Sequence, residues 1–421
     1  METDKRTDPV DAPGTESGHL DNPMTRRRLV AGGGALGITM AAAAYGGGMA
    51  RAATRGALAT PSIKGVTVSF LAWPGHGDKY LVGPFEKATG ARVRVKEYQD
   101  GEQALALYAN SPRGTYDVIM TEPTDLQRFV TAKGFEELDP GEFPTANKDF
   151  IELYKTNSPR WKDILGGWFD DKWVAVPWSW AVQSMSINNT KVPPKDRQSY
   201  SFVWTPRYEN RIGWSIYWLN AMSTMSQYYG MTNGWWKRNE ITPLQLSKAQ
   251  WKEFRKWMFS TPKENVRGFY GIGNGTQAFA QGEIWAYPGA GFPTTASLQK
   301  EKLPFSNRIP KEGSPFYTES LSIGLGSKNV EAAKQFIQYC ISPEGCARKA
   351  TMPAYQGLPV NFKSWRWIKR NQPEWIPIMD INPDGPNVLD SVKKGILSPR
   401  ILPNDVNLWV KTYEQFKNTR G

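Results

Sequence analysis

Between Val66 and Leu325 the apolar positions fall into short runs separated by stretches of helical period. Val66, Val68, Phe70, Leu71 and Ala72 form a strand pattern that stops at Trp73-Pro74-Gly75-His76-Gly77-Asp78, a turn signal carrying two rings. Leu81, Phe85 and Ala88 recur at helical spacing, and Gly90 is placed to close that helix. Arg92 to Tyr98 alternates and predicts a half-exposed strand. Asp100 can cap a helix from Glu102 to about Asn110, and Tyr116 to Thr121 is a third strand ending at Glu122-Pro123. Strands separated by helices of this length predict βαβ units with right-handed crossovers, which bring the strand ends to one edge of a parallel sheet. In open α/β folds that edge binds ligands.

The second half starts with Val174 to Asn188, an extended stretch too long for one short strand, which predicts passage from a first domain into a second. Arg211 to Ile216 opens another αβ region, with helices around 217–230 and 248–259 and a strand at Glu283 to Pro288. Glu319 to Leu325 is a last strand and introduces a helix from Val330 to Tyr339. Near the end, Leu408, Val410 and Phe416 give a packing face to a helix from Val406 to Phe416.

A chain of 421 residues exceeds a single core, so a cleft between two domains is available. The net charge of +12 comes from scattered Lys and Arg with no basic run in the folded part, which argues for a solvated surface and no nucleic-acid partner. Two His, His19 and His76, and two Cys, Cys340 and Cys346, leave a metal site or a His-based nucleophilic mechanism almost no residues to draw on. A small-loop disulfide and two buried thiols are both open to the cysteine pair. With 18 Trp and 17 Tyr, aromatic side chains suffice for pocket walls as well as cores.

Residues 1–52 read as a signal region. Thr25-Arg26-Arg27-Arg28 precedes an uncharged run from Leu29 to Ala50 and then Ala50-Arg51-Ala52, the pattern of a twin-arginine export signal cleaved near Ala52. Seven glycines among those 22 uncharged residues favour export over a membrane anchor.

The order of segments resembles the extracellular solute-binding proteins of ABC importers, and within them the spermidine/putrescine-binding periplasmic family, over most of residues 65–360. The likeness rests on the Trp73 turn, Phe85-Glu86-Lys87-Ala88-Thr89-Gly90, Tyr116-Asp117-Val118-Ile119, Val176-Pro177-Trp178-Ser179-Trp180 and Gly282-Glu283. It continues through Ile309-Pro310-Lys311-Glu312-Gly313, Glu319-Ser320-Leu321-Ser322-Ile323, the helix at Ala332 to Ile337, and Tyr355-Gln356-Gly357-Leu358-Pro359-Val360-Asn361. It implies a type II periplasmic-binding-protein fold, α/β, with two lobes of mixed sheet flanked by helices and joined by extended crossover strands. Residues 54–186 plus 317–363 would form lobe 1, and residues 187–316 plus 364–421 lobe 2.

The resemblance further implies a monomer in the periplasm that captures a small molecule by hinge closure and delivers it to an ABC permease in the inner membrane, with no catalysis and no cofactor. A polyamine such as putrescine or spermidine is the implied ligand. Carried over residue by residue, the family's ligand positions fall on Trp73, Thr121, Tyr317, Glu319 and Tyr355. Glu122 and Asp405 are the candidates for a second acid. His76 in the turn, Trp178 and Trp180 on one side of the crossover segment, and Trp214 on the second-lobe strand complete the predicted ligand set. The second lobe departs from the polyamine pattern, because Arg211-Ile212-Gly213-Trp214-Ser215-Ile216-Tyr217 carries no carboxylate. A sugar or a small anion is therefore the rival ligand. An exported hydrolase using Glu122 and Glu319 as paired carboxylates is the rival from another class.

Overall fold

In the computed structural model, residues 61–122, 125–155, 165–380 and 388–419 are described; the signal reading of residues 1–52 lies outside them. The first strand, β1 (Thr67–Ala72), ends where its alternation does: Val68, Phe70 and Ala72 enter one core, and Leu71 enters another on the opposite face. Its neighbours β2 (Arg92–Glu97) and β3 (Val118–Thr121) run parallel to it, from Thr67 opposite Arg92 to Ala72 opposite Glu97 and with Phe70 opposite Val118. The crossover helix between β1 and β2, Lys79–Thr89, is capped at both ends, at Gly90 as its sequence predicts and at Asp78. The Asp78 carboxylate accepts from the Tyr80 amide at 2.7 Å, and Gly90 closes the helix at φ 72°, a left-handed conformation that favours glycine.

Two short strands, β4 (Trp168–Phe169) and β5 (Lys172–Trp173), form a separate hairpin. The predicted extended stretch divides into β6 (Val176–Val182) and β7 (Met185–Asn188), which belong to different sheets. The chain thus changes sheets at Gln183-Ser184. In the second sheet β7 is joined by β8 (Ile212–Ser215), β9 (Val266–Tyr270), β10 (Ala286–Tyr287) and β11 (Phe305–Arg308), in the order β11-β7-β10-β8-β9. The chain then returns as β12 (Ser314–Ile323), antiparallel to both β3 and β6 in the first sheet. Because β12 arrives from the other sheet instead of through a crossover helix, the first sheet is mixed and not wholly parallel. With β13 (Leu358–Pro359) its order is β13-β6-β12-β3-β1-β2.

The described residues 364–380 and 388–399, grouped with the second lobe on sequence, pack here with the first sheet. β14 (Leu397–Pro399) lies parallel on Ser314–Phe316 of β12, the part of that strand that the four-residue β3 leaves uncovered, and so satisfies an otherwise open edge. Ile368, Trp375, Ile378 and Met379 enter the same core. The final helix, Val406–Asn418, instead packs in the second core through Trp409, Tyr413 and Phe416.

Much of the aromatic content is structural. Phe336, on the helix Val330–Cys340, is fully buried with its ring 5.3 Å from Phe70 and 5.1 Å from Phe85. Cys340 and Cys346 are both free, buried thiols, and burial pushes the Cys346 thiol up to about 12. Among the described residues no helix is long and apolar enough to cross a membrane. Removing the ring at Phe336→Ala should destabilise the fold by about 3–5 kcal/mol, read as a lowered urea midpoint with an unchanged slope. A loss below about 1 kcal/mol would mean that Phe336 is not the packing centre of this layer.

Candidate functional site

The first-lobe wall of the site is made by strand ends that register brings together. β1 finishes at Ala72 and delivers Trp73; β3 finishes at Thr121, opposite Ser320 of β12, and delivers Glu122. Tyr317 and Glu319 stand two apart on β12, so they project from the same face. A register shift between Glu319 and Ser320 leaves Trp178 of β6 as the extra residue of a bulge at this level. The Trp73 ring stacks on Tyr355 at 5.7 Å and 18°, and Tyr98 closes on it from the other side at 4.9 Å.

The facing wall comes from the end of β8. There Ile216 and Tyr217 are 46% and 39% exposed, unusual for large apolar side chains, and the helix Trp218–Thr232 follows with Asn220 in its first turn. Between the walls lies a cavity of about 290 Å³, lined by residues of both sheets' strand ends. Aromatic walls with a few converging polar groups are the usual make-up of a small-molecule site.

The cavity is acidic although the chain is basic. Asp100, Glu102, Glu122, Asp125, Glu319 and Glu414 line it, against Arg128 and Arg400. Five of these acids have a cationic partner: Glu102 and Asp125 share Arg128, Glu414 meets Lys417 at 2.7 Å, and Glu319 and Glu122 are held in the buried part of the wall. Glu319 meets the Lys349 ammonium at 3.0 Å, with the two side chains only 3% and 1% exposed, and Lys349 also donates to the Tyr355 carbonyl at 2.6 Å. Burial pushes the Lys349 pKa down while the Glu319 charge opposes that shift. Glu122 pairs with Arg400, whose guanidinium lies 5.0 Å from the centre of the Tyr317 ring and also donates to the Asn220 side-chain oxygen.

Asp125 is held differently. Burial and the neighbouring Glu122 charge raise its carboxyl to about 6, against the opposing pull of Arg128 and Arg400. Arg128 sits 3.4 Å away, but its closer partner is Glu102 at 2.5 Å. Burial also pushes the phenols of Tyr98, Tyr317 and Tyr355 up, so all three stay neutral. Four buried polar atoms along the cavity have no hydrogen-bond partner among the described residues: Thr121 Oγ1, Gln183 Nε2, Arg400 Nε and Glu319 Oε2, the last of which has the Lys349 ammonium as its ion-pair partner. In the same described residues no three His, Cys, Asp or Glu side chains converge as metal ligands.

Of the predicted ligand residues, Trp73, Thr121, Glu122, Tyr317, Glu319 and Tyr355 line this cavity. His76, Trp178, Trp180 and Trp214 do not line it, because packing holds each of them in a core. His76 is fully buried, its Nδ1–H donates to the Trp73 carbonyl at 2.9 Å, and its ring sits edge-on to Trp178 at 5.6 Å. Burial and, secondarily, the Lys349 charge hold its imidazole well below the usual range, so it is neutral and supports the turn behind Trp73. Trp180 packs edge-on to Phe316 at 6.0 Å, and Trp214 stacks on Trp204 at 5.5 Å.

Tyr98, Asp125, Gln183, Asn220 and Arg400 line the cavity without having been singled out in the sequence, and Lys349 stands directly behind it. Tyr98 carried a signal, as the aromatic at the end of an alternating strand. Lys349 and Arg400 carried none: Lys349 is half of a basic pair with Arg348, and Arg400 is a single cation between Pro399 and Ile401, with no neighbouring motif to mark either.

A model of the bacterial extracellular solute-binding protein family matches residues 81–366. The chain is 22% identical over 282 residues to a spermidine/putrescine-binding periplasmic protein of Salmonella typhimurium, an alignment covering 66% of this chain and 73% of the relative. Among solved structures, a putative spermidine/putrescine ABC transporter from Listeria monocytogenes superposes with a TM-score of 0.64 at 19% identity, covering 83% of this chain and 98% of that one. The PBP MotA from A. tumefaciens B6, in complex with glucopine, superposes with a TM-score of 0.57 at 17% identity, covering 85% of this chain and all of that one. These neighbours are two-lobe proteins of the type II periplasmic-binding fold.

The buried Lys349–Glu319 pair makes a sharp expectation. Glu319→Gln leaves an ammonium buried without its counter-charge and should destabilise the protein by about 3–5 kcal/mol in urea unfolding, whereas Lys349→Met combined with Glu319→Gln should recover most of that loss. A single variant as stable as the parent would show that the pair is not buried as described.

Proposed function

The chain belongs to the bacterial extracellular solute-binding proteins, and from that premise we propose that it captures a small solute bearing an ammonium group in the cavity beside Trp73 and delivers it to an ABC permease. Proteins of this family and fold are substrate-binding components of ABC transporters, not enzymes. The observation that carries the amine reading is the charge of the cavity. Six carboxylates against two guanidinium groups line it, in a chain whose net charge is +12, so the acids are concentrated where the ligand would sit. The Trp73, Tyr98 and Tyr355 rings offer an ammonium the aromatic faces that attract cations.

Polyamines are the first candidates, because the curated relatives are named for spermidine and putrescine. The fold of its neighbours also serves other solutes, glucopine among them. The hydrolase reading has no support here. Glu319 and Glu122 are each held against a cation, whereas a general acid needs an environment that favours its protonated form. Closure would swing the two sheets about the chain crossings at Gln183-Ser184 and Ile309–Gly313, with the cavity between them. Export to the periplasm and a monomeric state complete the reading; export rests on the sequence of residues 1–52.

Asp125 ties binding to pH. An ammonium prefers the ionised carboxylate, and in the free protein Asp125 ionises at about 6, raised first by burial and then by Glu122 and Glu102, against the pull of Arg128 and Arg400. Amine affinity measured by calorimetry on residues 53–421 should therefore strengthen by about tenfold between pH 5 and pH 7, because roughly one Asp125 in ten is ionised a unit below its pKa. Proton release should accompany binding at the lower pH, and Asp125→Asn should flatten the profile. Absence of any thermal or calorimetric response to diamines, polyamines and monoamines would overturn the amine reading.

A further inference from the structure

Resting on the amine reading of the cleft, we propose that Arg400 determines its specificity: it occupies the place of a second ligand ammonium, so the ligand carries one ammonium and presents an oxygen acceptor, carboxylate or carbonyl, at its other end.

A diamine needs a carboxylate near each ammonium, since an unpaired buried charge is costly. The two acids suited to that task are engaged by the chain's own cations, Glu319 by Lys349 and Glu122 by Arg400. The Arg400 site has the composition of a cation subsite, with an aromatic face, a carboxylate and a side-chain amide oxygen. The guanidinium lies over the Tyr317 ring, pairs with Glu122 and donates to Asn220. A ligand ammonium brought to this end would meet a fixed positive charge in place of a free carboxylate.

The same residues present donors to the cavity. Arginine has five N–H donors and cannot be deprotonated in a protein. Arg400 commits one terminal nitrogen to Glu122 and the other to Asn220, and its buried Nε has no partner among the described residues. Gln183, 1% exposed, accepts from the Ser223 hydroxyl at 2.9 Å through Oε1 and leaves Nε2 unpartnered in the same sense. Asn220 and Ser223 are three residues apart on the helix Trp218–Thr232, so one face of that helix holds both side chains. Buried donors without partners favour a ligand oxygen that satisfies them. A carboxylate suits a guanidinium best because charge-assisted bonds are the stronger ones. Of the other four acids of the wall, Glu102 is held by Arg128 and Glu414 by Lys417. Asp100 and Asp125, the latter only 3.4 Å from an Arg128 engaged more closely by Glu102, are left with Trp73 and Tyr98 for the single ammonium.

The test is a matched four-carbon series titrated into the protein lacking residues 1–52: 1,4-diaminobutane, 4-aminobutanoate, 4-aminobutanamide and butylamine. The expected result is that one or both acceptor-bearing monoamines bind at least tenfold tighter than the diamine and than butylamine; the acid and amide arms separate a carboxylate from a carbonyl acceptor. Arg400→Gln, which frees Glu122, should reverse the ranking toward the diamine, and adding Glu122→Gln should abolish that gain. Melting curves establish that each variant is folded, and the ranking on the parent protein stands without them. Diamine binding equal to or tighter than that of the acceptor-bearing amines, or an unchanged ranking in folded Arg400→Gln, overturns the role of Arg400 and leaves the amine reading intact. No response to any of the four overturns both.

Discussion

The Lys349–Glu319 ion pair is the contact on which the first-lobe wall depends. Neither charge can stay buried alone, so the helix that carries Lys349, Pro343–Thr351, is bound to β12 by an interaction much harder to lose than an apolar contact. The same ammonium holds the Tyr355 carbonyl, and Tyr355 in turn stacks on Trp73. Its charge also helps to keep His76 neutral behind the Trp73 turn. One buried pair therefore fixes the aromatic platform and the turn it sits on, and it withdraws Glu319 from service as a free ligand carboxylate.

That withdrawal changes how the cavity works. An acid at the end of a strand is ordinarily read as a ligand for a cation, but the field in a pocket is set by sums of charges. With Glu319 and Glu122 both compensated, the negative potential comes from Asp125, Asp100 and their neighbours, and Asp125 is destabilised as an anion by burial beside Glu122. A group in that state gains from an arriving cation more than an exposed carboxylate would, since solvation has not already stabilised its charge. Under the proposed amine reading, recognition rests on the least comfortable acid in the wall.

The chain crossings give the cavity its second wall. β6 and β7 are consecutive in sequence yet lie in different sheets, and β11 returns the chain to β12. The cleft faces therefore meet at covalent crossings, with Gln183 at one of them and Arg400 just past β14. Polar side chains at these places touch both walls, as the Arg400 contacts to Glu122 and Asn220 illustrate.

The resemblance to the solute-binding family marked Thr121, Tyr317, Glu319 and Tyr355 as ligand positions, while sequence pattern alone determined the strand ends, the Trp73 turn, the cap at Gly90 and the extended passage from Val174 to Asn188. These are local properties: alternation, helical spacing and turn chemistry act over a few residues and are written where they act. Tertiary structure decided which of the rings are walls and which are core. Trp178, Trp180 and Trp214 have the same strand-borne appearance as Trp73 and differ only in what packs over them, Phe70 and His76, Phe316 and Trp204. It also decided that Leu397–Pro399 completes the first sheet, because the open edge of β12 exists only after β3 proves too short to cover it. Above all it decided the charge of the site. Lys349 and Arg400 lie 30 and 278 residues from the acids they neutralise, and no periodicity links them. The attraction that holds each pair becomes strong only once the chain has closed around both partners and excluded the water that would screen them.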